Sequence, residues 1–245
     1  MRTAFSKPTA PDQFDLLISS FRTSGYDALQ LKTGQFLPWL QTPEEFTKIT
    51  AGQPGAAGVL VYYDDLDDDR LANVIDFAIH VGSEMVVFCH NRSREGVTSA
   101  MRVAIAKQLA EHGKRARDAG IGLSLHHHFD HPVMVPSDVR EFWGAIESGV
   151  VGLTVDTGHL AKSGVNDIPA FIEEFAPIID NIHLKDFGDD KWRLLGEGTL
   201  DLAAILSTLS NVGYDGWLCV DEESDASLTD GLTKSRAWLD THLRR

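Results

Sequence analysis

Gly122-Leu123-Ser124-Leu125-His126-His127-His128 and, beyond an amphipathic stretch over 137–148, Gly152-Leu153-Thr154-Val155-Asp156 are two short runs whose last residues can bind a metal ion or move a proton. Strand, helix and strand in that order make a parallel βαβ unit, because consecutive parallel strands need a long crossover. The same alternation continues outward in both directions. Strand-like runs fall at 3–6, 28–32, 58–63 and 85–90 before this unit and at 181–185 and 217–221 after it. Helix-like stretches at 13–23, 71–81, 98–119, 168–175 and 202–210 lie between them. Ser137 and Thr42-Pro43-Glu44-Glu45 read as helix starts, and Gly120, Gly149 and Gly213 stand where helices end.

Eight strands in eight βα units predict an α/β fold of the closed (β/α)₈ type, a TIM barrel, forming a single domain over residues 1–245. An open doubly wound sheet usually has fewer strands and often a glycine-rich phosphate turn, and no G-x-G-x-x-G follows any strand here. The length of 245 residues is close to the ~250 typical of one such barrel, although length alone also admits two smaller domains.

Composition excludes several roles. A formal charge of −14 gives a surface that repels phosphate backbones, so no nucleic-acid partner is expected. No apolar run approaches the ~18 residues of a membrane span, and the start MRTAFSKPTAPDQF lacks a signal-like apolar stretch, so the expected location is the cytoplasm, off the membrane. Cys89 and Cys219 lie in apolar strand-like runs and read as buried free thiols. The acidic run 64–69 reads as a solvated loop and helix start.

In such a barrel, function gathers at the carboxyl ends of the strands. The fifth strand ends in the histidines quoted above, the sixth in Asp156-Thr157-Gly158-His159, the seventh in His183-Leu184-Lys185-Asp186 and the eighth in Val220-Asp221-Glu222-Glu223. Side chains alternate along a strand. If Leu123 and Leu125 face the helices, then Ser124, His126 and His128 face inward, as do Thr154 with Asp156, His183 with Lys185, and Asp221 with Glu223, while Glu222 points away. A single histidine would be read as a hydrogen-bonded core residue. Inward groups at four consecutive strand ends instead predict that His126, Asp156, His183 and Asp221 hold one divalent ion (Mn, Zn, Mg or Co), since imidazole and carboxylate donors suit such metals. Asp130 and His131 are loop residues behind these.

The series Asp156-Thr157-Gly158-His159, His183-Leu184-Lys185-Asp186, Gly196-Glu197-Gly198-Thr199-Leu200-Asp201 and Gly213-Tyr214-Asp215-Gly216-Trp217 resembles the sugar phosphate isomerase/epimerase superfamily of xylose-isomerase-like barrels. That group includes inosose isomerases and dehydratases, ketose epimerases and type-IV endonucleases. His126-His127-His128 looks like the triple-histidine stretch of inosose dehydratases, and 3-keto-glycoside lyases are similar in motif. The resemblance runs from about Gly120 to Glu223 and is weak before Met85. It implies a metal held by Glu, Asp, His and Glu. Asp156 and His183 match, whereas His126 and Asp221 replace the glutamates, with Glu222 and Glu223 near enough to compete at the second position. Because the epimerases of the family use both glutamates to shuttle a proton, this departure argues against symmetric two-base epimerisation.

What remains is one-base chemistry on a small keto-sugar or cyclitol. A metal polarises the carbonyl, His128 or His159 takes the neighbouring proton, and Lys185 steadies the enolate. β-Elimination, by a dehydratase or keto-glycoside lyase, is the preferred outcome; a sugar (phosphate) isomerase or epimerase is the alternative, and a non-catalytic metal-binding subunit is the reading from another class. Trp39, Trp192 and Arg193 are candidate substrate walls, with Glu223 on the substrate side of Asp221. Short loops leave a homo-oligomer or a small partner subunit open.

Overall fold

A parallel strand in a barrel is buried on both faces, so each needs one side chain set for the interior and another for the helices. The computed structural model describes residues 1–51, 55–66 and 69–243. Its strands are β1 (Arg2–Ser6), β2 (Ala28–Leu31), β3 (Gly58–Tyr63), β4 (Met85–His90), β5 (Gly122–His126), β6 (Gly152–Asp156), β7 (Ile179–Leu184), a short pair β8 (Asp186–Gly188) and β9 (Lys191–Arg193), and β10 (Trp217–Asp221). Eight of them close into a parallel barrel in the order β1-β10-β7-β6-β5-β4-β3-β2, with β1 paired to both β10 and β2. The eighth barrel strand is therefore β10, because the antiparallel β8–β9 hairpin intervenes.

The helices are α1 (Pro11–Ser20), α2 (Thr33–Phe36), α3 (Pro43–Ile49), α4 (Arg70–His80), α5 (Ser99–Asp118), α6 (Pro136–Gly144), α7 (Thr157–Lys162), α8 (Ile168–Phe175), α9 (Leu202–Asn211) and α10 (Leu228–His242). Outward strand residues such as Phe5, Leu29, Val61, Leu125 and Val155 join the buried helix faces in one apolar layer. Inward residues form a second core of Ala4, Ala28, Leu60, Val87, Trp217 and Cys219. Opposite these, the interior of β5–β7 is polar: Ser124 Oγ lies 2.6 Å from Thr154 Oγ1, which also accepts from Asn181 Nδ2 at 3.3 Å. This hydrogen-bonded floor lies below the strand ends that carry the chemistry.

Several boundaries differ from the sequence reading for local reasons. The fifth strand stops at His126 rather than at 128, because the His127 ring accepts the Asp156 backbone N–H at 2.9 Å that would otherwise continue the ladder. The second stops at Leu31, where the Lys32 N–H turns to Gln35 Oε1 at 2.9 Å and α2 begins. The seventh begins at Ile179 and ends at Leu184, and the Lys185 N–H is taken by Thr157 Oγ1 at 2.9 Å. The helix expected over 137–148 is Pro136–Gly144, and that over 13–23 is Pro11–Ser20. Of the acidic run, Asp64 accepts from Asn91, Asp65 pairs with Arg70 and Asp69 precedes α4, while Asp67 and Asp68 lie outside the described residues. Both cysteines are free and buried, and no described helix is long and apolar enough to cross a membrane.

Candidate active site

His126, Asp156 and Asp221 are the last residues of β5, β6 and β10, and His183 is the last inward residue of β7. Pairing sets them level: Asp156 is opposite His183, and His183 is opposite Cys219, two residues before Asp221. Each of the four is buried, and one ligand atom from each lies within 4.8 Å of the others. His126 Nε2 and His183 Nδ1 are both 3.6 Å from Asp156 Oδ2, and His183 Nδ1 is 3.7 Å from Asp221 Oδ2. Donors bound tetrahedrally at about 2.0–2.2 Å would stand roughly 3.3–3.6 Å apart; the three pairs just given are within tenths of an ångström of that, and the wider ones, up to 4.8 Å, would close by about an ångström around a first-row divalent ion.

Two further observations fit a cation. Asp156 Oδ2 and His183 Nδ1 are buried without a hydrogen bond among the described residues. Both are also aimed: Asp156 caps α7 by accepting the His159 N–H on Oδ1 at 2.8 Å, which turns Oδ2 to the centre. Beside them, two ammonium groups and two carboxylates form a closed ring. Lys32 Nζ is 2.5 Å from Asp221 Oδ1 and 2.9 Å from Glu223 Oε1; Lys185 Nζ is 2.7 Å from Asp221 Oδ2 and 2.9 Å from Glu223 Oε2. Lys185 Nζ also lies 3.4 Å from Asp156 Oδ2. Burial by itself would raise the carboxyls of Asp156 and Asp221, but the charge of Lys185, joined at Asp221 by Lys32, holds both well below the usual range. Burial favours the neutral amine at Lys32, and Asp221 and Glu223 override it to raise its pKa.

The histidines divide by direction. His127 turns outward to Phe171 of α8, with ring centroids 5.9 Å apart. His128 turns inward, 3.7 Å from the His159 ring and 4.0 Å from His131. Burial and the neighbouring imidazole of His126 push His128 down to about 4, and burial lowers His159 as well, so both are neutral at physiological pH. Their hydrogen bonds select different tautomers. His128 Nδ1 faces the Phe129 carbonyl at 2.8 Å and must donate there, leaving a lone pair on Nε2. His159 Nδ1 accepts the Phe129 N–H at 3.4 Å, which leaves its proton on Nε2. His131 Nδ1 lies 3.3 Å from Cys89 Sγ.

The structure separates the wall candidates. The Trp192 ring is 4.8 Å from Lys185 Nζ and 4.8 Å from the His159 ring, so it borders the cluster. Gly158 makes room for it, since a Cβ there would meet Lys185 Cγ at 2.9 Å and the Trp192 ring at 3.0 Å. Arg193 instead binds the Gly188 carbonyl at 3.2 Å and Asp189 at 3.0 Å within the hairpin, and Trp39 packs on the outer apolar layer. Glu222 points away to Lys7 and Ser224, whereas Glu223 joins the lysine ring. Asp130 holds Ser93, in the loop. Sequence reasoning missed Lys32 and Gln30 as site residues; the signal was their inward parity with Ala28 on the second strand.

A family model described as a xylose isomerase-like TIM barrel matches residues 22–242. An inosose dehydratase of Clostridium beijerinckii is 28% identical over 145 residues, covering 51% of this chain and 48% of the relative. The chain thus spans about half the length of the curated relatives it matches. Among solved structures, the apo 3-keto-D-glucoside 4-epimerase YcjR from E. coli superposes with a TM-score of 0.80 at 15% identity, covering 98% of this chain and 99% of that one. The IOLI protein with a bound zinc atom superposes with a TM-score of 0.77 at 16% identity over 100% of both chains. These structural likenesses carry the fold.

Proposed function

The chain belongs to the xylose isomerase-like TIM barrel family, and on that footing we propose that it is a divalent-metal-dependent enzyme that eliminates a group from the β-carbon of a keto-sugar or cyclitol. The observation that carries this reading is the convergence of His126, Asp156, His183 and Asp221, with two buried acceptors aimed at one point. These four residues would hold the ion. When bound, it supplies Lewis acidity at the substrate carbonyl oxygen.

The remaining steps belong to the chain. His128 Nε2, with its lone pair free, takes the proton from the carbon beside the carbonyl, and the C–H pair passes into the enolate. The Lys185 ammonium, held beside Asp156, stabilises that negative charge. The pair then returns to form the C=C bond as the C–O bond at the β-carbon breaks; the leaving oxygen takes the proton that His128 Nε2 has just accepted, which restores the neutral base, while the His159 Nε2–H donates a hydrogen bond to that oxygen. Trp192 gives a flat face against which a ring can lie. Glu223 is a poor second base: burial would raise its carboxyl, but Lys32 overrides this and lowers it, which favours elimination over two-base epimerisation.

Product analysis by NMR in D₂O tests the reading with keto-sugars and inososes as substrates. The expected result is loss of water or an aglycone in the presence of metal. His128→Gln should keep its metal and lose about 10²- to 10⁴-fold in α-proton exchange. Exchange into an isomer without mass loss would favour the isomerase, and no exchange with any substrate would favour a metal-binding subunit.

A further inference from the structure

Gln30 crosses the barrel to reach a ligand candidate. It is the second inward residue of β2 after Ala28, is buried, and lies 153 positions from His183, yet its Oε1 is 2.5 Å from His183 Nε2. Small neighbours leave the path open: Ala4, Ala28 and Ala57 form that part of the interior, and a Cβ at Gly58 would come within 3.5 Å of Gln30 Nε2. The amide orientation is not arbitrary. Its NH₂ donates to the Ala57 carbonyl at 3.0 Å, and a carbonyl can only accept. Gln30 therefore presents its oxygen to the histidine, and His183 Nε2 must carry the proton. The lone pair is then on Nδ1, the atom that faces Asp156 and Asp221 and has no hydrogen bond of its own among the described residues.

We infer that Gln30 is a positioning residue that fixes His183 in the Nε2–H tautomer and so makes it a metal ligand through Nδ1. The inference rests on the metal reading above. A neutral imidazole without such a partner divides its proton between the two nitrogens and rotates more freely; partners of this kind contribute about 10- to 100-fold in metal affinity.

Zinc affinity by chelator competition, together with long-range ¹H–¹⁵N NMR of His183 in the metal-free protein, tests it. Gln30→Met fills the space but offers no acceptor, and should lose about 10- to 100-fold in zinc affinity and show a mixed His183 tautomer. Gln30→Glu restores an acceptor and should keep affinity near wild type with the Nε2–H signal. A role in packing alone reverses this order, since methionine is then the milder change and a buried acid the harsher. Equal affinity in wild type and Gln30→Met, or an Nδ1–H signal in the wild-type protein, overturns the inference while leaving the metal site intact. Failure of the wild-type protein to take up zinc overturns the metal reading itself and the role of Gln30 with it.

Discussion

Asp156 and Asp180 stand on neighbouring strands of one barrel with opposite electrostatics. Asp156 has an ammonium beside it and stays ionised. Asp180, at the amino end of β7, accepts from the Ser124 hydroxyl at 2.5 Å and from its own backbone N–H, and burial outweighs both to raise its carboxyl from 3.8 to about 7. An acid that is harder to ionise when folded disfavours the native state once the pH lies above its folded value, and this penalty vanishes below its unfolded one. Asp180→Asn keeps an acceptor for Ser124 and cannot ionise. Its unfolding midpoint should therefore exceed that of wild type at pH 8, with the difference shrinking as the pH falls from 7 toward 4. A difference independent of pH would assign the effect to packing instead.

Helices and hairpins hold the strand ends in place through close backbone contacts and caps. The β8–β9 hairpin and its following loop are moored by one carboxylate: Asp186 accepts from the N–H groups of Phe187, Gly196 and Gly198 at 2.8, 2.9 and 3.0 Å. This mooring sets Trp192 beside Lys185. Gly113 plays a comparable part in α5, where a Cβ would collide with the Val150 carbonyl before β6. Alanine is a better helix former than glycine by about 1 kcal/mol, but a carbonyl cannot rotate away and overpacking costs about 1–3 kcal/mol. Gly113→Ala should therefore lower the thermal midpoint, by roughly 2–4 °C per kcal/mol lost for a chain of this size. A raised midpoint in calorimetry would mean that α5 moves outward freely.

Across the molecule, the candidate site gathers charge that folding must bury: Asp156, Asp221, Lys32 and Lys185 are all nearly inaccessible. A cation bound only by the folded chain adds RT ln(1 + [L]/Kd), about 2.7 kcal/mol at a hundredfold excess over Kd. Zinc should accordingly raise the unfolding midpoint of the wild-type protein and leave that of Asp156→Ala unchanged. Differential scanning fluorimetry with and without a chelator measures this, and an equal zinc response in the variant would place the ion elsewhere.

Much of this was legible in the order of residues, and the limit is set by what is local. Strand periodicity repeats every second residue, so the eight strands, their inward faces and the approach of His126, Asp156, His183 and Asp221 could be read along the chain. The end of β5 could not, because it depends on a His127 side chain meeting the backbone of β6. Nor could the choice of Trp192 rather than Trp39 or Arg193 as the side chain bordering the cluster, which follows from a hairpin moored by Asp186. Lys32 meets Glu223 across 191 positions and Gln30 meets His183 across 153. Only closure of the barrel through β1 brings β2 within reach of β10 and β7, and so only the tertiary structure decided which buried partners aim and balance the groups that the sequence had already placed at the strand ends.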